Sequence, residues 1–342
     1  MELYNDDGYA RMDAITDLPT PFVLCVGGRG VGKTYGELQV MLQRGYTFLY
    51  LRRTTDEMKL VSKPEFCPIV QVARDMGRAL TCDSLSTYVS GVVEAHEDEQ
   101  TRIAFIMSLT GVAHARSFDG SSITHIVYDE ACPEEHLKQI RKEDLCFLNM
   151  YESIDRNRQL QGKAPVKCIV LANANNLEAP IFKALNCIKT LDDMRKKSQS
   201  VRVDEKRGLS IVLLNDSPIS TIKSGTALYK LSRGVDNDFA SMALDNQFGK
   251  DNYTDIAQKP LAEYIPIACI GSICLYRHKS AYVYYVCEHI SGKPKRYENT
   301  IIDRVRFRKD NFAAWEAYFA KRLVFENVNA KLFFRAVMNE TL

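Results

Sequence analysis

The sequence predicts an α/β architecture: a parallel-sheet domain, a short helical linker and a smaller α+β domain. Three observations predict it. A short apolar run, "PFVLCV", leads through a glycine-rich stretch into an amphipathic helix. Two later apolar runs, "THIVYDEACP" and "VKCIVLANANN", end abruptly in polar residues, as strands do at the carboxyl edge of a parallel sheet. Beyond about residue 249 the pattern changes to consecutive short strands followed by helices, the α+β order. The expected domains are 1–214, a linker over 215–249, and 250–342.

The first element is "CVGGRGVGKTY", Cys25 to Tyr35. The apolar run before it reads as a buried strand. After it, Tyr35, Leu38, Met41 and Leu42 share one helical face, and Gly45 is placed to cap the end. Strand, glycine loop and helix are the context of a P-loop, and Gly27, Gly32, Lys33 and Thr34 satisfy G-x-x-x-x-G-K-T. Across Gly27, Gly28, Arg29, Gly30, Val31 and Gly32, successive backbone N–H groups can turn inward around an anion, which a run of bulkier side chains would block. The helix N-terminus adds partial positive charge. Lys33 reaches the β and γ phosphates, and the Thr34 hydroxyl can ligate Mg2+. A chance glycine turn is the plain alternative, and both flanks argue against it. A nucleoside triphosphate is the expected ligand.

In "THIVYDEACP" (Thr124 to Pro133) a strand of Ile126, Val127 and Tyr128 ends in Asp129 and Glu130. Asp129 can hold the magnesium shell opposite Thr34. Glu130 can orient and deprotonate a water aimed at the γ phosphate. A phosphotransferase has no use for such a group, so the pair favours hydrolysis over the alternative of an acidic helix N-cap. The strand "VKCIVLANANN" puts Asn173 where a γ-phosphate sensor would stand, or where a strand simply ends. Between them, Leu145, Leu148, Tyr151 and Ile154 or Asp155 mark a helix ending in Arg156-Asn157-Arg158. Arginines there read either as a solvated helix end or as an arginine finger.

From Asn215 to Gly249 apolar residues are sparse, which suggests a small helical linker. Then "EYIPIACIGSICLYRHKSAYVYYVCEHI" reads as three strands with turns at Gly271 and His278-Lys279, followed by helical patterns in "DNFAAWEAYFAKRL" and "NVNAKLFFRAVMN". In "SGKPKRYENTIIDRVRFRKDN", Arg304, Arg306 and Arg308 alternate and would line one face of a strand. With Lys293, Lys295 and Arg296 they could track a phosphate backbone, or they could be a charged, solvated edge.

Charged residues make up 26% of the chain and hydrophobic ones 46%, which excludes a disordered chain. A net charge of +2 excludes an overall basic coat but not a local patch. The ten cysteines form no C-x-x-C pair. With no signal peptide seen, they are expected to be reduced thiols rather than disulfides or zinc ligands. The six histidines show no ligand spacing. No apolar run approaches the ~20 residues that span a membrane.

Together "GGRGVGKTY", "FLYLRR", "IVYDE", "DRNR", "CIVLANA" and "MALDNQF" resemble the DNA-packaging ATPases of phi29-type tailed phages, members of the terminase-like ASCE P-loop motors. The matching segments cover most of residues 20–250. The resemblance implies a homo-oligomeric ring, commonly a pentamer, that uses ATP and Mg2+ to translocate double-stranded DNA into a procapsid. It implies a viral portal as partner and an RNA scaffold as a further candidate. The expected location is the host cytoplasm, transiently on the procapsid. It implies that Arg158 is a trans-acting finger, that Arg116 in "AHARSFDG" stands near the γ phosphate, and that Arg29 couples nucleotide state to movement. Tyr4-Asn5 corresponds to an aromatic that cups adenine. The loop "RRTTDEMKLVSK", with Lys59 and Lys63, is the expected DNA contact in the ATPase domain, and the family setting favours nucleic acid for the arginine strand. The C-terminal domain is expected to be a vestigial RNase H-like nuclease. Its first strand carries no carboxylate, whereas two-metal cleavage needs several. The rival readings are a nuclease-active terminase, a P-loop phosphotransferase and a non-hydrolysing switch.

Overall fold

The computed structural model describes residues 1–95, 100–111, 118–134, 140–173, 177–232 and 255–339. The chain divides into two compact units: Met1–Cys187 with Met194–Gly249, and Ile188–Asp193 with Lys250–Leu342.

The strands of the first unit are β1 (Phe22–Gly27), β2 (Phe48–Arg52), β3 (Leu80–Ser86), β4 (Val89–Ala95), β5 (Gln100–Ser108), β6 (His125–Tyr128), β7 (Lys167–Ala172), β8 (Val201–Asp204) and β9 (Leu209–Leu214). They form one sheet in the order β3-β4-β5-β2-β6-β7-β1-β9-β8. From β5 to β9 every pairing is parallel. β3 and β4 extend one edge antiparallel, and β8 the other. β1, β2, β6, β7 and β9 are almost wholly buried, as continuous apolar strands must be when helices cover both sheet faces.

The helices of this stretch are α1 (Met12–Thr16), α2 (Lys33–Gln43), α3 (Thr55–Val61), α4 (Pro68–Asp75), α5 (Glu143–Asp155), α6 (Pro180–Ala184), α7 (Ile188–Lys196), α8 (Pro218–Ser224) and α9 (Ala227–Ser232). Leu38, Met41 and Leu42 of α2 join Val23, Cys25, Phe48, Tyr50 and Ile169 in one core. Tyr128, on the opposite sheet face, stacks on Phe147 of α5 with ring centroids 5.7 Å apart.

Several expectations change. Tyr35 is 46% exposed and does not belong to the apolar face of α2. In α5 the buried apolar positions are Phe147, Met150 and Ile154; of the expected stripe Ile154 is buried, while Leu145 and Leu148 lie outside and Phe147 and Met150, two residues on, take their places. "RRTTDEMKLVSK" is not a loop. Thr54 accepts a hydrogen bond from the Glu57 N–H and caps α3, which places Lys59 in its last turn and Lys63 just beyond. Of the expected linker, α8 and α9 are seen in the first unit; "MALDNQF" lies outside the described residues.

The second unit holds β10 (Tyr264–Ile270), β11 (Ile273–His278), β12 (Tyr284–Cys287), β13 (Lys295–Tyr297) and β14 (Leu323–Phe325), with helices α10 (Ile301–Asp310), α11 (Phe312–Phe319) and α12 (Val328–Asn339). Its sheet order is β13-β10-β11-β12-β14. The central three strands are antiparallel; β13 and β14 run parallel to their neighbours. Ile270, Leu275 and Val286 pack with Phe307, Phe325 and Phe334.

Two corrections fall here. Arg304, Arg306 and Arg308 lie on helix α10, not on a strand. Thr300 accepts from the Asp303 N–H and starts the helix, so Arg304 and Arg308 are one turn apart on a shared face and Arg306 points elsewhere. The reading of all cysteines as thiols fails at one pair. The β10–β11 hairpin sets Cys269 directly opposite Cys274, and the two are disulfide-bonded. Hairpin register, invisible in the spacing of the two residues, brings them together.

Candidate active site

Strand order places β7 between β1 and β6, so three parallel strands deliver their carboxyl ends side by side. β1 ends at Gly27 and turns through the glycine loop into α2. Gly30 and Gly32 have φ of 70° and 89°, the left-handed region that side chains disfavour. Lys33 opens α2 and is buried. Its ammonium donates to the carbonyls of Gly27 (2.9 Å) and Gly28 (2.8 Å) and to Asn173 Oδ1 at 3.0 Å. Asn173 follows the last residue of β7. Burial pushes the Lys33 ammonium down to about 8, against the opposing pull of Cys25 and Asp129.

β6 ends at Tyr128, and the next residue is Asp129. The Thr34 hydroxyl donates to Asp129 Oδ1 at 2.9 Å. A hydroxyl and a carboxylate oxygen so placed are the donor types that a hard divalent cation takes, so these residues fit Mg2+. Glu130 has φ of 51°, which swings the chain off the strand; its N–H donates to Asp129 Oδ1 and the Ala131 N–H reaches the Leu171 carbonyl on β7. Lys33, Thr34, Asp129, Glu130 and Asn173 thus line one cleft of about 360 Å³, together with Arg29 and Gly32.

The sequence reading missed the residues that hold this acid pair. Tyr50 OH donates to Asp129 Oδ2 at 2.7 Å. The Arg52 guanidinium bridges Asp129 Oδ2 (3.2 Å) and Glu130 Oε2. Burial works against the Arg52 charge, but Tyr50, Asp129 and Glu130 more than offset it and hold the guanidinium above its ordinary value. A signal for this exists in the sequence: Tyr50 and Arg52 are two apart, so they share one face of β2, the neighbour of β6. Next to Arg52, Arg53 makes a buried two-point pair with Glu143 at the start of α5, at 2.7 and 2.9 Å.

Arg29 pairs with Glu134 beyond the acid pair. Arg158 opens a short 3-10 turn after α5; its guanidinium donates to the carbonyls of Ile123 (2.6 Å) and Ser121 (3.1 Å). Arg116 lies outside the described residues. A second cleft of about 500 Å³ shares Gly32 and Tyr35 with the first and is lined by Asn5, Tyr9 and Gln39. Tyr4 is not among its walls: its hydroxyl donates to the Asn215 carbonyl at 2.6 Å, and the aromatic side chains that line the cleft are Tyr9 and Tyr35. Among the described residues, no group of three or more His, Cys, Asp or Glu side chains is arranged to hold a metal, and no helix is long and apolar enough to cross a membrane.

A parallel sheet with these groups at its carboxyl edge defines an α/β fold of the packaging-ATPase type. The chain belongs to the podovirus DNA encapsidation protein (Gp16) family, whose model matches residues 9–265. In fold it is similar to the Phi-28 gp11 DNA packaging motor, with 17% identity, a TM-score of 0.64, and 99% of this chain and 100% of that one covered. It is likewise similar to the bacteriophage Phi-29 viral genome packaging motor assembly, with 18% identity, a TM-score of 0.63, and coverage of 98% and 100%. Comparison with curated proteins gives no match.

Proposed function

We propose that the protein is a motor that hydrolyses ATP to translocate double-stranded viral DNA into a procapsid. One observation carries the reading: in a member of the DNA encapsidation family, Lys33, Thr34, Asp129, Glu130 and Asn173 converge on one cleft at the ends of β1, β6 and β7. The loop from Gly27 to Gly32 acts as a P-loop and offers its N–H groups to the phosphates. Lys33 exchanges its carbonyl partners for phosphate oxygens, and Asn173, already in contact with Lys33, reports on the γ phosphate. Thr34 and Asp129 hold Mg2+, which neutralises phosphate charge when bound. Glu130 takes the proton of the attacking water once its carboxylate leaves Arg52. The second cleft suits the base: its lining includes the aromatic side chains of Tyr9 and Tyr35 and the amides of Asn5 and Gln39.

Residues 1–214 serve as the ATPase domain, 215–249 as linker and 250–342 as a vestigial RNase H-like domain; β10 contributes no carboxylate to a nuclease site. The working form is a homo-oligomeric ring, a pentamer by family likeness, that docks on a viral portal in the host cytoplasm, with an RNA scaffold as a further candidate partner. Arg158 serves the neighbouring subunit's ATP and Arg29 couples nucleotide state to movement; by family likeness Arg116 corresponds to a basic position that serves the γ phosphate. Lys59, Lys63 and the arginines of α10 contact DNA phosphates.

ATP binding and DNA-stimulated ATP hydrolysis test the reading. Glu130→Gln should bind ATP nearly as the parent does while turnover falls by about 10²–10⁴-fold, because the amide cannot take the proton. Lys33→Ala should lose affinity itself. Equal loss of affinity in the two variants would refute this division of roles, and hydrolysis indifferent to DNA would refute the motor.

A further inference from the structure

Lys223, on α8 in the stretch of chain between β9 and the second unit, reaches the glycine loop. Its ammonium donates to the carbonyl of Gly30 at 2.9 Å and to that of Arg29 at 3.2 Å. Nothing in the sequence pattern requires a contact here. G-x-x-x-x-G-K-T leaves position 30 free. Yet Gly30 is left-handed at φ 70°, and a Cβ built on it would fall 1.8 Å from Lys223 Nζ. The Lys223 ammonium thus stands in the space that a side chain at position 30 would take. The lysine is half-buried, and burial pulls its ammonium below the ordinary lysine range.

The chemistry of the contact is directional. The carbonyl of Arg29 shares a peptide with the Gly30 N–H, and that of Gly30 shares one with the Val31 N–H. A cation on the two carbonyls draws electron density toward those oxygens and makes both N–H groups stronger donors. Those are donors that a phosphate-cradling loop presents to its anion. We propose that Lys223 is a positioning residue of the nucleotide loop: from α8 it clamps the outward carbonyls of Arg29 and Gly30, which strengthens phosphate binding and ties the placement of α8 to loop occupancy. This rests on the reading of the loop as an ATP site. Linkage makes the tie reciprocal: if α8 holds the loop in its binding form, ATP must in turn hold α8.

The test uses the full chain carrying Glu130→Gln, so that ATP binds without turnover. Lys223→Met keeps length and removes charge; Lys223→Arg keeps charge. ATP affinity with Mg2+ and amide hydrogen exchange over residues 216–226 are measured with and without ATP. Removal of a charged hydrogen-bond donor that is partly open to solvent should weaken ATP binding about tenfold, with most of the affinity restored in Lys223→Arg. ATP should slow exchange in α8 when Lys223 or Arg is present and leave it unchanged in Lys223→Met. Parental affinity in Lys223→Met would overturn the proposal, and so would an unaltered ATP response of α8. A merely structural lysine would change baseline exchange without changing its response to ATP. If the Lys223 parent itself fails to bind ATP, the loop is not an ATP site and the more basic reading falls first.

Discussion

At the carboxyl edge of the nine-stranded sheet, Lys33, Arg52, Arg53, Asp129 and Glu143 are all buried, and each has a charged or hydrogen-bonding partner at close range. In the second unit no charged side chain of α10 is fully buried: Arg306 pairs with Asp303 at 3.3 Å, and Lys295 on β13 with Asp310 at 2.6 Å. Among the described residues of this unit, Lys331, paired with Asp255, and Asp192 are buried exceptions. The difference is one of cost. Surface pairs contribute about 0–1 kcal/mol and can be exchanged freely. Buried charges cost several kcal/mol each to desolvate and persist only where geometry holds them. A fold concentrates such charge where chemistry demands it, and the sheet edge is that place.

Arg158 offers the sharpest way to break the comparison, because it is a cation at the opposite, amino edge of the parallel strands, where its described partners are the carbonyls of Ile123 and Ser121 ahead of β6. As a trans finger it should contribute roughly 10³–10⁵ in rate. Arg158→Ala and Glu130→Gln subunits should each be inactive alone. Mixed, a Glu130→Gln subunit can lend its arginine to a neighbour that retains Glu130, so ATPase activity should return. Recovery cannot occur if Arg158 acts in cis, and a flat response across mixing ratios with co-assembly confirmed would sink the trans assignment.

The Arg53–Glu143 pair tests the energetic half of the comparison. Arg53→Met strips a buried carboxylate of its two-point partner and should cost about 3–5 kcal/mol, read as a drop in melting temperature. Adding Glu143→Gln to Arg53→Met should recover much of that stability. Lys295→Ala, at the surface, should shift the melting temperature hardly at all. Similar drops at both pairs would show that burial does not divide the two regions.

Glu37, one turn into α2, is a buried acid that makes no ion pair among the described residues. Thr16 donates to its Oε2 at 2.7 Å, and Oε1 has no hydrogen-bond partner there. Burial pushes its carboxyl up to about 7, against the opposing Thr16 hydrogen bond. The folded value lies above the unfolded value of 4.5, so the group's contribution to stability is fully present below about 4.5 and is lost as pH rises through about 7. Glu37→Gln stays neutral throughout. It should match the parent at pH 4.5 and exceed it above pH 8 by up to about 3 kcal/mol. A constant gap between the two across pH would show that Glu37 does not ionise in this range.

The same contrast explains what the sequence made legible. Gly27 to Thr34, Asp129 and Asn173 could be read because each sits where a strand ends, and strand ends in a parallel sheet converge by topology alone. Arg52 could not be read as a partner of Glu130 without knowing that β2 neighbours β6, although Tyr50 and Arg52 already shared a face. Lys223 lies far along the chain from the loop it touches, and no local periodicity reports such a contact. In the second unit, alternating arginines suggested a strand because period two is as easily met by a helix over so short a run; the Thr300-x-x-Asp303 cap was the better signal. Cys269 and Cys274 needed the hairpin register.

The helical placement of the arginines changes what their removal should do, and this is the smallest expected effect. On a strand all three would face one way and act together. On α10, Arg304 and Arg308 share a face while Arg306 pairs with Asp303 and points elsewhere. If that face meets DNA, replacing Arg304 and Arg308 with Ala should lower affinity about two- to fivefold for all sequences alike. The salt slope should fall by about 0.9 for each phosphate that no longer meets a cation. Arg306→Ala should leave both quantities near the parent values, since Arg306 lies off the face that Arg304 and Arg308 share. Equal effects at all three positions would mean that no single face of α10 is engaged. No effect at any of them, with the fold intact, would return α10 to a solvated helix and leave DNA binding to the first unit, where Lys59 and Lys63 stand exposed.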